Sequence, residues 1–293
     1  MTIDHRWNEL GSTLKKLCAT GNIRYTPNVG NAGDGLIASA ALKLFGDLGI
    51  RRNLEIGGNV QKGDVFIYGG GGGLLPLYTP ARVAVEKALR VGVSAFVLLP
   101  HTVRGHEDLF ARMDDRFHIF CREKISFSYL QEIRCKANVY LSHDLALSLV
   151  PNTNPYDIDG IWSALSMGSR PRKLYAYLKW CRRIERIRPE SDGILRLMRT
   201  DVESQFEQHE RMSIDLSAMH SSTYEIPAEA DLVTKGFFRV LSRADHVISD
   251  RLHVCIGATL LGKKVTMLDN SYGKNSSIYE HSLKDLFKNV TLA

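Results

Sequence analysis

Residues 246–275 begin His246-Val247-Ile248-Ser249-Asp250-Arg251-Leu252-His253 and end Asp269-Asn270-Ser271-Tyr272-Gly273-Lys274-Asn275. The apolar run at His246-Val247-Ile248 reads as a buried strand, Val254 to Leu261 as an apolar helix, and Val265 to Leu268 as the next strand. Strand, helix, strand is the unit from which parallel sheets are built. Both polar clusters therefore fall at strand ends, on the edge where open α/β sheets bind ligands. Arg251, His253 and Lys274, converging there beside a helix N-terminus, suit a small anion carrying phosphate or carboxylate.

The same alternation extends towards the N-terminus. After a short amphipathic helix around Trp7 to Cys18, strands are predicted at Val65–Tyr68, Ala95–Leu99, Phe117–Phe120 and Asn138–Leu141, with helices at Gly35–Leu48 and Ala81–Val91. Val150-Pro151-Asn152-Thr153-Asn154-Pro155 breaks the pattern, and a loop-like stretch runs to Pro171. The alternation then resumes: a strand at 193–198, a helix at 201–211, a strand at 213–216 and a helix at about 228–242. The economical architecture is α/β, with two Rossmann-like lobes facing a cleft, residues 1–150 and 151–293. A single doubly wound sheet carrying a basic insertion is the alternative.

Composition narrows the class. The chain has 293 residues, 44% of them apolar, which is enough for a sizeable core. Its five cysteines are scattered without paired spacing, against a disulfide framework or zinc site and in keeping with a reducing compartment. No run is long and apolar enough to span a bilayer, and the N-terminus lacks a signal-peptide order, so a cytoplasmic location is expected. The net charge of +6 is concentrated in residues 170–188, where eight cations face one acid, Glu185. Tyr175, Tyr177 and Trp180 are interleaved with them. This segment, a basic helix, reads either as a solvated helix with some buried aromatics or as a surface for an anionic membrane. No base-reading or stacking motif accompanies it, so nucleic acid is not expected as a partner.

Further motifs occupy strand ends. Asn31, Gly33 and Asp34 precede the first long helix, either as a turn with its cap or as a ligand contact. Five consecutive glycines, Gly69 to Gly73, follow the strand at 65–68. Bare backbone at Gly70, Gly71 and Gly72 lets a ligand or a facing loop approach, and a ligand-facing role is favoured over strand–helix packing. His101 and Arg122 each follow an apolar run, as does Arg199, for which Asp201 and Glu203 are ready pairing partners. Asp144 is placed to cap a helix. No HExxH, paired CxxC, Gly-x-Ser-x-Gly or paired-carboxylate motif occurs, so metal-dependent and serine hydrolysis are not expected, and no metal is.

Taken together, these motifs resemble the polysaccharide pyruvyl transferase family. The resemblance is carried by Asn31-x-Gly33-Asp34-x-x-Ile37, the glycine run, Pro100-His101-Thr102, Arg122-Glu123-Lys124 with Ser126, Asp144-x-Ala146, Arg199-x-Asp201-x-Glu203, Asp250-Arg251-Leu252-His253 and Asn270-x-Tyr272-Gly273-Lys274-Asn275. The chain is similar to the bacterial exopolysaccharide branch, which ketalates sugars of a lipid-linked repeat unit. The resemblance implies a GT-B-like fold, phosphoenolpyruvate as donor substrate, no cofactor, and a lipid-linked saccharide acceptor met at the inner membrane face.

On that chemistry, Arg251 and Arg122 are expected at the donor's anionic groups, with Lys274 as a phosphate contact. His253 is the expected acid/base, and His101 a donor contact or second acid/base. A GT-B-type glycosyltransferase using a nucleotide-sugar, or a non-catalytic polysaccharide-assembly partner, are the rival readings.

Overall fold

The three-dimensional structure, a computed structural model, describes residues 5–19, 21–155, 170–201, 203–204 and 214–293. Strands are β1 (Ile23–Thr26), β2 (Gly30–Asn31), β3 (Leu54–Ile56), β4 (Val65–Tyr68), β5 (Gly71–Leu74), β6 (Ala95–Val103), β7 (Phe117–Cys121), β8 (Asn138–Leu141), β9 (Ile194–Arg196), β10 (Ser221–Ser222), β11 (His246–Ser249), β12 (Lys264–Met267) and β13 (Val290–Leu292). The chain forms two compact units, Met1–Val29 with Ala40–Ser148, and Gly30–Ser39 with Leu149–Ala293. Division by sequence at residue 150 leaves 30–39 in the first half, whereas its contacts group it with the second unit.

The first unit is built on a parallel sheet in the order β3-β1-β4-β6-β7-β8, with β5 beside β6. Strands β4 and β6 are buried along their whole length, as a parallel sheet covered on both faces requires. The helix Pro80–Val91 shows why this happens locally. Its apolar residues Ala81, Ala84, Val85 and Ala88 recur at helical spacing and join Phe66, Phe96 and Phe117 in the core. Gly92 ends the helix in the left-handed region, donating its N–H to the Ala88 carbonyl.

Strand β1 is a correction to the sequence reading, whose predicted strands begin at Val65. The run is only four residues long and carries Arg24, whose charge is met by Glu55 at 2.6 Å and Asp64 at 3.4 Å. With β1 present, the sheet order reverses between β1 and β4, and that is its topological switch point. Strand β6 also runs on to Val103, so His101 and Thr102 lie within it rather than beyond it.

The second unit contains a four-stranded parallel sheet, β13-β12-β11-β9, and an antiparallel pair in which β2 meets β10. The helix expected at 201–211 lies mostly outside the described residues. So does Ser213, and Ile214 to Leu216 form no strand. Most of the expected loop at 151–171 also lies outside the described residues. The basic segment forms the helix Arg170–Ile184. Its aromatics divide: Tyr177 and Trp180 are buried with Cys181 and Ile184, whereas Tyr175 is 67% exposed.

Trp180 packs against the helix Pro227–Leu241 at Gly236, where an added Cβ would stand 2.1 Å from the indole Cη2 and 2.7 Å from Cζ3. Gly236→Ala should therefore destabilise the protein. Helix propensity favours Ala by about 1 kcal/mol, but overpacking against a rigid indole costs about 1–3 kcal/mol. Chemical denaturation should show a lower midpoint. An unchanged or raised midpoint would contradict this packing.

Candidate functional site

In the second unit, three strands deliver their following residues to one carboxyl edge: Arg199 after β9, Asp250 to His253 after β11, and Asp269 to Lys274 after β12. Arg199, Arg251 and Lys274 are all buried there. A buried cation is tolerated only when paired, and each is. Arg199 meets Asp201 at 2.8 Å and Glu203 at 2.5 Å. Arg251 meets Asp201 at 2.8 Å, and its Nε donates to Asp215 at 3.0 Å. Lys274 meets Glu203 at 2.9 Å, with its ammonium 5.3 Å from the Tyr272 ring centre. Glu203 also accepts from Asn270 Nδ2 at 3.2 Å. The structure thus joins three of the expected residues into one network through carboxylates. Asp201 and Glu203 were visible in the sequence as partners. Asp215 was not, because it lies 36 positions from Arg251 in an unremarkable stretch.

Asp250 is a further residue that the sequence reading left without a role. Its side chain is fully buried, and Oδ1 accepts the Arg199 backbone N–H at 2.8 Å. Oδ2 is buried with no hydrogen-bond partner among the described residues. Burial pushes this carboxyl above its ordinary range, although the Arg199 backbone N–H and the charges of Arg199 and Arg251 pull the other way.

His253 lies in the first turn of the helix Leu252–Leu260. Its ring rests on Gly33: a Cβ there would stand 2.4 Å from Nδ1 and 3.0 Å from Cγ. Asn31 and Asp34, the two other early candidates, are tied into the turn that presents Gly33. The Asn31 N–H donates to Asp34 Oδ2 at 2.9 Å, and the Gly33 N–H donates to Asn31 Oδ1 at 2.8 Å. The Tyr224 hydroxyl fixes the turn by donating to the Asn31 carbonyl at 2.8 Å. The turn is therefore the seat of the His253 ring.

The first unit holds the other candidates. At its switch point, Gly69 packs so closely that a Cβ would lie 2.3 Å from the Asn28 nitrogen, and Tyr68 donates its hydroxyl to Asn28 Oδ1 at 2.9 Å. The facing chain at this first glycine is the protein's own. Gly71 and Gly72 are not a plain turn but part of β5, with Gly70 just before it and Gly71 opposite His101.

Arg122 and His101 do not present themselves as surface groups. Arg122 is 1% exposed, donating to Asp144 at 2.7 Å and to Thr102 Oγ1 at 2.9 Å. Asp144 also caps the following turn, accepting the Ala146 N–H at 2.9 Å. The Gly73 N–H donates to His101 Nε2 at 2.9 Å. Burial and then the Arg122 charge push His101 down from the ordinary 6.5 to about 3, against the Gly69 carbonyl and Asp144. His101 is thus a neutral acceptor that holds the glycine segment, and Arg122 a buried brace. Beside them Arg104, absent from the sequence-based candidates, donates to Glu123 at 3.0 Å and to Ser126 Oγ at 2.6 Å.

The depressed His101 gives a pH signature. Between pH 6.5 and about 3 the unfolded chain binds a proton there that the folded chain does not, so stability falls as pH falls through that window. His101→Gln keeps an acceptor for Gly73 and removes the titration. Denaturation midpoints from pH 7 to 4 should fall less steeply in the variant, and parallel curves would show that His101 is not held neutral.

The chain is 25% identical over 296 aligned positions to a Bacillus subtilis (strain 168) protein described as "Putative pyruvyl transferase EpsO", covering 86% of this chain and 82% of that protein. Its fold is similar to the crystal structure of an uncharacterized Klebsiella pneumoniae protein, at a TM-score of 0.77 and 26% identity over 99% of each chain. The family described as Polysaccharide pyruvyl transferase matches residues 31–272, a span running from the Asn31 turn to Tyr272 and containing Arg199, Arg251 and His253. This chain belongs to the polysaccharide pyruvyl transferase family.

Proposed function

We propose that this protein transfers the three-carbon unit of phosphoenolpyruvate to a sugar of a lipid-linked exopolysaccharide repeat, closing a cyclic ketal and releasing phosphate. The observation that carries the reading is the union, in a member of this family, of three buried cations with an adjacent histidine at one sheet edge. Phosphoenolpyruvate bears a phosphate and a carboxylate, and guanidinium groups hold both in two-pronged fashion. Arg251 and Arg199 take the donor's anionic groups, with Lys274 adding positive charge. The GT-B-like character implied by the resemblance is part of the same proposal.

The chemistry follows from the donor. A proton added to the methylene carbon makes a methyl group and leaves the adjacent carbon electron-poor. One sugar hydroxyl attacks that carbon and gives up its proton. The bond to the phosphate oxygen then breaks, phosphate leaves with the bonding pair, and a second hydroxyl closes the ring and loses its proton. His253 is assigned the proton transfers, imidazole being the side chain suited to them near neutral pH. Asn31 and Asp34 act through the turn that sets Gly33 against His253. Arg122 and His101 shape the strand ends that carry Gly70, Gly71 and Gly72. The donor is the only small molecule required; no separate cofactor, metal or nucleic acid enters.

The test is phosphate release from phosphoenolpyruvate that depends on a lipid-linked saccharide. His253→Ala should lower turnover by about 10²–10⁴-fold. Arg251→Ala should mainly weaken donor binding, by about 1.5–3 kcal/mol. Nucleotide release from a nucleotide-sugar instead, or wild-type turnover in folded His253→Ala, would defeat the assignment.

Cytoplasmic location at the inner membrane face belongs to the same proposal. Among the described residues no helix is long and apolar enough to cross a membrane. The basic helix turns Tyr175, Leu178, Lys179, Arg182 and Arg183 outward, and exposed Arg186 follows just beyond it. Glu185, the one acid of the 170–188 segment, is drawn to Arg239 and Arg243 at 2.5 Å each. The outward face is therefore cationic, and each such residue near an anionic surface contributes about 1 kcal/mol. Arg182, Arg183 and Arg186 changed together to Gln should sediment less with anionic vesicles at low salt, while activity on a short soluble acceptor stays near wild type. Equal sedimentation would dismiss the membrane role.

A further inference from the structure

We propose that the guanidinium groups of Arg199 and Arg251 form one anion subsite whose occupant here is the protein's own Asp201 carboxylate, and that a phosphate- or carboxylate-bearing ligand binds by exchanging with it. The inference rests on the donor-binding reading given above and adds to it a residue and an order of events.

The geometry is that of a bound ligand. Asp201 Oδ1 accepts from Arg199 Nε at 2.8 Å and Oδ2 from Arg199 Nη2 at 3.2 Å, a two-pronged contact. The same Oδ2 lies 2.8 Å from Arg251 Nη2. One carboxylate therefore spans both guanidinium groups in the way an incoming carboxylate or phosphate would.

Three carboxylates hold the two arginines, and they differ in what else holds them. Glu203 is 4% exposed at its side chain and also binds Lys274 and Asn270. Asp215 is 5% exposed and accepts from the Thr200 backbone N–H at 3.0 Å, its hydroxyl at 3.2 Å and the Ala218 N–H at 3.1 Å. Asp201 is 39% exposed, and its further contact among the described residues is the Glu203 N–H at 3.2 Å. It is the one of the three that can turn away without opening the core.

The charges fit an exchange. When Asp201 turns out, Arg199 keeps Glu203 and Arg251 keeps Asp215, so neither buried cation is left bare. With Lys274 counted, three cations are then paired with two carboxylates, Asp250 lying beside them on the Arg199 backbone N–H, and the vacated position between the guanidinium groups is open to an anion. A ligand with several oxygens on one centre can bridge both guanidinium groups through one oxygen and reach Arg199 Nε with another, as Asp201 does. Chloride, a single atom, cannot make that two-pronged contact, so the subsite favours phosphate and carboxylate groups over simple halides.

The experiment uses the full-length protein and inorganic phosphate as probe, measured by calorimetry for wild type, Asp201→Asn, Asp201→Ser and Arg251→Ala. Removing the internal competitor should tighten phosphate binding about tenfold in both Asp201 variants, the scale of one charge-assisted contact. Arg251→Ala should lose that binding. A wild-type crystal grown in phosphate should show the ion on both arginines with Asp201 turned away. Equal or weaker binding in folded Asp201 variants would overturn the exchange, as would phosphate bound with the Asp201–Arg199 pair intact. Saccharide-dependent phosphate release from phosphoenolpyruvate is scored separately. If release is absent while the Asp201 variants still bind phosphate more tightly, the donor reading fails and the exchange stands. If release is normal and binding is unaltered, the exchange alone fails.

Discussion

A guanidinium or ammonium group taken out of water must find a counter-charge in the protein, and the sheet edge of the second unit is organised around that requirement. Arg199, Arg251 and Lys274 could not lie where they do without carboxylates beside them, Glu203 and Asp215 buried and Asp201 partly exposed. These six side chains come from residues 199–215, 251 and 274, so pairing them fixes where the segments after β9, β11 and β12 run. Breaking a buried pair by removing one partner costs about 3–5 kcal/mol, enough to make the network as much a fold determinant as a binding surface. The proposed donor binding calls on the same cations, so a ligand's anions would have to share them with these carboxylates.

The first unit solves a different problem. Its glycine segment and His101 are governed by close backbone approach and by exclusion of water rather than by charge. The imidazole stays neutral because burial opposes its protonation, with Arg122 adding to the effect. As a neutral acceptor it can take the Gly73 N–H. A protonated ring would have only donors to offer there. The two units thus use histidine in opposite ways: one buries it as a fixed acceptor, the other leaves His253 partly exposed in the first turn of a helix.

Much of the framework was legible in the sequence wherever a strand was a continuous apolar run. Val65–Tyr68 and Asn138–Leu141 appear where their composition puts them, and β11 and β12 fall within a residue of expectation. Strand β1 was hidden because Arg24 interrupts it, and the ion pairs that make Arg24 tolerable come from Glu55 and Asp64, beyond any local window. The site divides along the same line. Sequence could place Arg122 at the end of a strand, but whether it meets solvent or Asp144 is a tertiary fact. For Arg199 the partners lie two and four positions away, so the pairing could be seen in advance. Asn31 and Asp34 could be read as a turn or as ligand contacts, and no local rule tells that the turn supports His253 from more than 200 positions away.

The allocation of Gly30–Ser39 to the second unit has a consequence for how the protein can be dissected. The helix Ala32–Asp47 starts in one unit and ends in the other, so no single cut between residues 148 and 151 separates two whole bodies. A C-terminal fragment beginning there would lack the strand that pairs with Ser221 and Ser222, and the glycine on which the His253 ring rests. Swapping the C-terminal halves of two relatives at that boundary would likewise join each His253-bearing helix to another protein's Asn31 turn. Chimeras that aim to exchange whole units would have to carry residues 30–39 along with the C-terminal segment, as a two-piece graft.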